Sequence, residues 1–352
     1  MTAPDLARMR RRYASLDAYA AVRLVTLGDG AERGVRVLEL RSGGGLEAEI
    51  VVDRTFDIGR LALHGATVSW HAPSGYRSAA HIDAHGEDGQ GFLTGMSGLL
   101  ATCGFDHIRQ PERETAFDAP LHPTAQIAYP LHGGGAHQPA RLTGYGLNEE
   151  GPRPYIWCEG EVTQSMLFRG TLRLRRRIEM PLGGTTITLA DTVTNIGPTA
   201  VSSMMLYHFN LGYPLVDQAS VLSIDPAEKV WSGDDHDATA PFGQPPATPV
   251  SEISVHRQAA QDGMAECRLR NPDTGLTFSL AYSIDTLPYL QVLRVRGDGY
   301  NLIGIEPCST AGRTRKAARE AGEMPMLSPG DSRRFSIEIA LNSEIPQSEV
   351  TI

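Results

Sequence analysis

Three stretches of the 352-residue chain set a titratable side chain in an apolar segment that glycine or proline then interrupts. They are AYPLHGGGAHQPA with His132, LYHFNLGYP with His208, and YNLIGIEPCSTAGR with Glu306. A carboxylate between Ile305 and Pro307 is expected to be partly desolvated. Desolvation disfavours the charged form and raises the pKa toward the range useful to a general base. The glycines after His132 are expected to let the backbone approach a ligand closely. Each feature alone has an ordinary structural explanation: a strand histidine with a satisfied hydrogen bond, or a buried glutamate paired with an arginine. Together, two imidazoles and one carboxylate suit proton transfer to and from sugar oxygens, where one group donates while another accepts.

Other residues stand near these three. His107, in CGFDHIRQ with Asp106 and Arg109, is a candidate fourth polar group of the same pocket, with a structural loop role equally open. Tyr207, Asn210 and Tyr213 flank His208, and one of them is expected to orient it while the others pack. Arg313 and Arg315 follow GIEPCSTAG and are candidates for an anionic sugar group, or else belong to an exposed loop. Asp53, Arg54 and Asp57 in DRTFDIGR read as a turn held by a local ion pair and Asx-type bonds. Trp70 and Trp157 read as core aromatics, with a stacking platform for a sugar ring as the alternative.

The elements that must position these groups are strands. RGVRVLELRS, GLEAEIVVD, GRLALHGATVSWHA, TTITLADTVTNIG and AVSSMMLYHFNLG are short runs rich in Val, Ile, Leu and Thr, separated by Gly, Pro, Asn or Asp. Residues 166–210 read as a meander of three strands joined by PLGG and NIGP turns. Arg173, Arg175, Arg176 and Arg177 alternate with leucines there and read as a solvated strand face. After a short helical start around residues 4–16 no strand alternates with a long amphipathic helix, which disfavours a parallel α/β sheet. The expected architecture is all-β, a large antiparallel β-sandwich with a short N-terminal helix. Residues 1–20 form the helical extension and 21–352 a single domain. The Pro-, Ala- and Asp-rich segment 233–251 reads as a surface loop within that domain.

Bulk composition narrows the function. Apolar residues make up 41% and charged residues 21%, the balance of a globular protein with a core. A net charge of −9 argues against nucleic acid as a partner. No stretch approaches the roughly 18 apolar residues of a membrane span. The N-terminal MTAPDLARMRRRYASL lacks an apolar signal-peptide core, so a cytoplasmic location is expected. Four cysteines far apart, with no CxxC pair, read as reduced thiols.

At LHGGGAHQPA, LYHFNLGYPLVD and GIEPCSTAGR, together with VVDRTFDIGRLALHG, GLLATCGFDHI, TLRLRRRIEMPLGG and the C-terminal LSPGD, the chain resembles the aldose 1-epimerase (galactose mutarotase) superfamily. It looks closest to the DUF4432 branch of aldose-1-epimerase-like proteins, from about residue 48 to 340. The resemblance implies a galactose mutarotase-like β-sandwich whose open face holds a sugar. His132 in LHGG and Glu306 in IGIEPC match family positions. His208 departs from the pattern: it stands one residue before Phe209, where the family's acid histidine stands three before a Phe-Asn-Leu triplet. A shift of two keeps the side chain on the same strand face.

By this analogy Glu306 is the general base, His208 the general acid and His132 a group that polarises a sugar oxygen. Asp106, His107, Arg109, Tyr207, Asn210 and Arg313 are candidate substrate-binding residues. The implied substrate is a small sugar or sugar acid. The chemistry needs no cofactor, which fits the absence of a P-loop, a strand–helix GxGxxG or zinc spacing. Two other functions stay open: a metal-dependent keto-sugar isomerase using His107, His132, His208 and Glu306, and a carbohydrate-binding protein without turnover. The oligomeric state is open, a homodimer included.

Overall fold

A computed structural model describes residues 6–344 except 117, 118, 120, 225, 226, 234 and 235. Residues 4–5 of the expected helix, Asp234 and Asp235 of the loop, and the two ends of the expected domain ranges lie outside the described residues. The helical start is a short helix, Leu6–Arg10, followed by a 3-10 turn at Leu16–Ala18. Strands then dominate.

Six strands carry the candidate chemistry: β1 (Leu100–Phe105), β2 (Met204–Leu211), β3 (Ala227–Ser232), β4 (Val250–Gln258), β5 (Tyr289–Arg296) and β6 (Leu302–Cys308). They form one antiparallel sheet in the order β3-β4-β5-β6-β2-β1. A second, eight-stranded antiparallel sheet includes Tyr155–Met166, Gly170–Pro181, Thr186–Asn195, Leu276–Ser283 and Ser332–Ser343. Five strands between Ala21 and Thr67 make a third sheet.

One apolar core lies between the two large sheets. It takes Leu174, Ile178, Leu189, Phe278 and Ile337 from the eight-stranded sheet, and Met205, Tyr207, Phe209, Val292 and Ile305 from the six-stranded one. This is the antiparallel β-sandwich expected of the alternating runs. The opposite face of the six-stranded sheet is covered too, by a second cluster containing Ala101, Cys103, Leu206 and Cys308. That double burial explains β2, whose eight residues are all buried. Side chains alternate across a strand, so Met205, Tyr207, Phe209 and Leu211 enter the sandwich core while His208 and Asn210 face the other way.

The three-strand meander over 166–210 is not formed. Gly170–Pro181 and Thr186–Asn195 pair as expected, but the next long strand, β2, crosses to the other sheet and pairs with β1 and β6. The partner of Thr186–Asn195 is instead Ser332–Ser343. The reason is burial: Thr186–Asn195 alternates between covered and open positions, whereas β2 is buried on both faces and needs a central place.

The arginine run also divides by parity. Arg173, Arg175 and Arg177 lie on the open face with Glu159 and Glu161. Arg176 occupies an inward position in register with Leu174 and Ile178 and is wholly buried. Its guanidinium bonds Asp57 at 2.8 Å and Asp191 at 2.7 and 3.0 Å, and donates to Thr102 Oγ1 at 2.8 Å. Thr102 Oγ1 donates to Asp57 at 2.6 Å, and Tyr207 Oη donates to Asp191 at 2.7 Å. Asp57 belongs to the five-stranded sheet, Arg176 and Asp191 to the eight-stranded one, and Thr102 and Tyr207 to β1 and β2. One buried cation therefore joins all three sheets. The 53–57 turn is likewise held by distant partners and not by a local pair: Asp53 binds Arg36, and Arg54 donates to the carbonyls of Ser97 and Leu100.

Removing one member of a buried ion cluster leaves the others uncompensated and costs roughly 3–5 kcal/mol. Arg176→Met is expected to lose about that much in denaturant unfolding. Unchanged stability would show that the cluster does not hold the sheets together.

Candidate functional site

A cavity of about 580 Å³ opens on the face of the six-stranded sheet away from the sandwich core. Its floor comes from three neighbouring strands. The register that pairs Leu206 with Cys308 and Phe209 with Ile305 sets His208 of β2 beside Glu306 of β6, and Gln291 of β5 pairs directly with Glu306. His208 Nε2 lies 3.3 Å from Glu306 Oε1. Glu306 Oε2 accepts from Gln291 Nε2 at 2.5 Å, and Gln291 Oε1 accepts from Arg109 Nε at 2.8 Å. Arg109 also donates to the carbonyls of Thr310 at 2.7 Å and Gly312 at 2.9 Å, which locks the relay. Glu306 Oε1 is fully buried and makes no hydrogen bond among the described residues.

Burial acts oppositely on the two facing groups because it opposes charge on each. It pushes Glu306 up to about 8, against the hydrogen bond from Gln291 and the positive charge of Arg109. It pulls His208 down to about 4. Between those values the pair carries one proton, which resides on Glu306.

His132 faces the same cavity from the loop over β1, its ring 5.6 Å from that of His208 at 86°. Its Nδ1 accepts from the backbone N–H of Arg109 at 3.3 Å. An accepting Nδ1 fixes the neutral tautomer with hydrogen on Nε2. Burial, reinforced by the repulsion that His208, His107, Arg109 and His137 exert on a second charge, holds its pKa well below the ordinary histidine range. His132 is thus built as a neutral hydrogen-bond donor and not as an acid. The glycines after it serve the backbone and not a ligand: a Cβ on Gly133 would stand 2.3 Å from the His107 carbonyl, and one on Gly135 would stand 2.7 Å from that of Gly104.

Of the expected site residues, the structure brings together Glu306, His208, His132, Arg109 and Arg313 at this cavity. Five others do not line it. Tyr207 points into the sandwich core toward Asp191, because it has the opposite parity to His208. Asn210 shares the face of His208 but lies beneath the surface, donating to the carbonyls of Gly98 and His208. His107 turns away, its Nε2 on the Gln110 carbonyl at 2.9 Å and its ring 5.2 Å from Tyr129. Asp106 pairs with Arg169 at 2.9 Å and lines a separate cavity. Arg315 is buried and paired with Glu114 at 2.8 Å.

Trp70 lines the cavity and is not part of the sandwich core. Trp157 stands elsewhere, under Arg177 at 4.6 Å. Three contributors were not anticipated. Gln291 alternates with Leu293 and Val295 in YLQVLRVRG, a parity signal that marks it as the polar member of a cavity-facing set. Trp231 lies near the end of β3, whose first four residues are all exposed, so no alternating pattern marks it. At Gly304 a Cβ would meet Glu306 Oε1 at 2.7 Å and His208 Cε1 at 3.3 Å, so the missing side chain makes room for the pair. Among the described residues, no group of three or more His, Cys, Asp and Glu side chains is placed to hold a metal ion.

The fold is that of the galactose mutarotase-like β-sandwiches. A Klebsiella pneumoniae subsp. pneumoniae protein provisionally assigned as an aldose 1-epimerase superposes with a TM-score of 0.79 at 19% identity, covering 91% of this chain and 83% of that one. A galactose mutarotase-like protein from Clostridium acetobutylicum gives 0.63 at 13% identity, over 93% and 99% of the two chains. Galactose 1-epimerase from Lactobacillus acidophilus gives 0.57 at 11%, over 92% and 99%. The chain belongs to the family described as Domain of unknown function (DUF4432), whose model matches residues 32–341. No curated protein matches it in sequence. No described helix is long and apolar enough to cross a membrane.

Gly304→Ala tests the geometry of the floor. The added methyl is expected to push Glu306 away from His208 beyond 3.3 Å, visible as displaced His208 ring resonances in NMR. Ring resonances at their wild-type positions would contradict the close packing described.

Proposed function

We propose that the chain is a cofactor-independent sugar epimerase that opens and recloses a hemiacetal ring. The observation that supports this reading is the unbonded, buried Glu306 Oε1 facing His208 Nε2 at 3.3 Å on the floor of a sugar-sized cavity. The pair holds one proton over the neutral range, which is the stock that simultaneous donation and acceptance requires.

A sugar hydroxyl donating to Glu306 Oε1 favours the carboxylate, and the proton moves to His208. Glu306 then takes the proton of the anomeric hydroxyl while His208 gives its Nε2 proton to the ring oxygen. The bond between the anomeric carbon and the ring oxygen breaks, leaving a carbonyl and a new hydroxyl. After rotation the carbon presents its other face. His208 recovers the proton, the ring closes, and Glu306 returns its own proton to the anomeric oxygen. No proton is gained or lost overall. His132 donates from Nε2 to a sugar oxygen and strengthens that contact as negative charge develops. Gln291 holds the carboxylate in place, and Arg109 holds Gln291.

The pH dependence follows from the directions of the two shifts. Below about 4 His208 takes a second proton and the pair has no acceptor; above about 8 Glu306 loses its proton and the pair has no donor. Two-dimensional NMR exchange between anomers, run across aldoses, ketoses and sugar acids, should find a substrate whose kcat/KM is bell-shaped with limbs near those values. Glu306→Gln should lower that rate at least about 10³-fold while sugar binding persists. Equal exchange by wild type and variant would remove the mechanism. Binding without exchange in the wild type would leave a carbohydrate-binding protein.

A further inference from the structure

The polar groups of the cavity stand in two separate places. Glu306, His208, His132, Gln291 and Arg109 are buried at the floor. Ser251, Tyr300 and Arg313 are exposed at the rim, with Arg313 stacked 4.3 Å over Trp231 and donating to the Ser232 carbonyl, and the covering loops add half-buried Gln90, which donates to exposed Gln110 at 3.4 Å. The wall between them is apolar. On the sheet, register explains it: the row next to Gln291 and Glu306 is Ile253, Leu293 and Gly304, and the row after that includes Val295 and Leu302. From the covering loops, Trp70, Phe92, Met96 and Leu131 face the same space.

A fully hydroxylated sugar with its reacting oxygens at the floor would press further hydroxyls against this belt. Hydroxyls held against the sheet side of the belt, at Ile253, Leu293, Val295 and Leu302, would lose water and find no side-chain donor or acceptor there, a penalty that a C–H group at the same place does not incur.

We propose that the substrate is a deoxy sugar, one that meets the floor with its anomeric and ring oxygens and meets the belt with carbon that carries no hydroxyl. This rests on the epimerase reading above and names the substrate class for that site. Leu293 is the specificity-determining side chain at the centre of the belt, since it borders Gly304 on one side and Ile253 on the other.

The test is anomer exchange by two-dimensional NMR on matched pairs, each parent hexose against its 2-, 3- and 6-deoxy forms in both the D and L series. Every enzymatic rate is divided by that sugar's own uncatalysed rate, which removes intrinsic differences in ring opening. At least one deoxy member is expected to exceed its parent in kcat/KM by tenfold or more, the scale on which an unpaired buried hydroxyl is rejected. Leu293→Asn supplies a polar partner in the belt and should shrink that ratio at least threefold by raising activity on the parent. Parents turned over as well as their deoxy forms, with exchange clearly catalysed, would overturn the substrate class and leave the epimerase reading intact. No catalysed exchange for any sugar would overturn the epimerase reading and the substrate class with it.

Discussion

Everything at the site depends on which face of β2 each residue presents, and the hydrogen bond from Tyr207 to Asp191 settles that. Because side chains alternate, a one-residue slip of this strand would send Tyr207 outward and bury His208 in the sandwich core. Tyr207 cannot leave the core without abandoning Asp191, whose other contacts belong to the buried Arg176. Arg176 in turn holds Asp57 and Thr102, so the register of β2, the placement of β1 and the entry of the third sheet are set by one cation. The charge cluster is structural, yet its consequence is chemical: His208 has only one way to face.

The same sheet then uses burial for two ends. Between the layers, burial is compensated pair by pair, with Arg176 bonded to both its carboxylates. On the outer face it is left uncompensated at Glu306 Oε1, which has an imidazole beside it and no cation bonded to it. Arg109 is hydrogen-bonded to Glu306 only by way of Gln291. A direct arginine pair would lower the carboxyl pKa and bind it firmly; an interposed amide orients the carboxylate and leaves it able to hold a proton near neutrality. That difference separates a structural carboxylate from one suited to proton transfer.

Much of this could be read in the sequence. Alternating Val, Ile, Leu and Thr runs marked the sandwich, and polar residues inside apolar strands marked His208 and Glu306, because both signals are local. What escaped reading was set by distant partners. Arg176 sits in a run of four arginines and differs from its neighbours only in parity with Leu174 and Ile178. The crossing of β2 to the other sheet follows from its two-sided burial, which tight-looking turns before it obscured. Asp106, His107 and Arg109 are close in sequence, yet only Arg109 reaches the cavity, since the loop turns between them. Gly304 matters through a side chain it lacks, and nothing in its neighbours announces that.

The claim beneath the account is that Glu306 and His208 together hold a single proton at neutral pH. Isotope-edited NMR titration of the Glu306 carboxyl carbon and the His208 ring nitrogens in the free protein measures this directly. The account predicts a carboxyl that titrates near 8 and an imidazole that stays neutral down to about 4. A carboxylate already ionised at pH 5, beside a histidine titrating near its ordinary value, would contradict it.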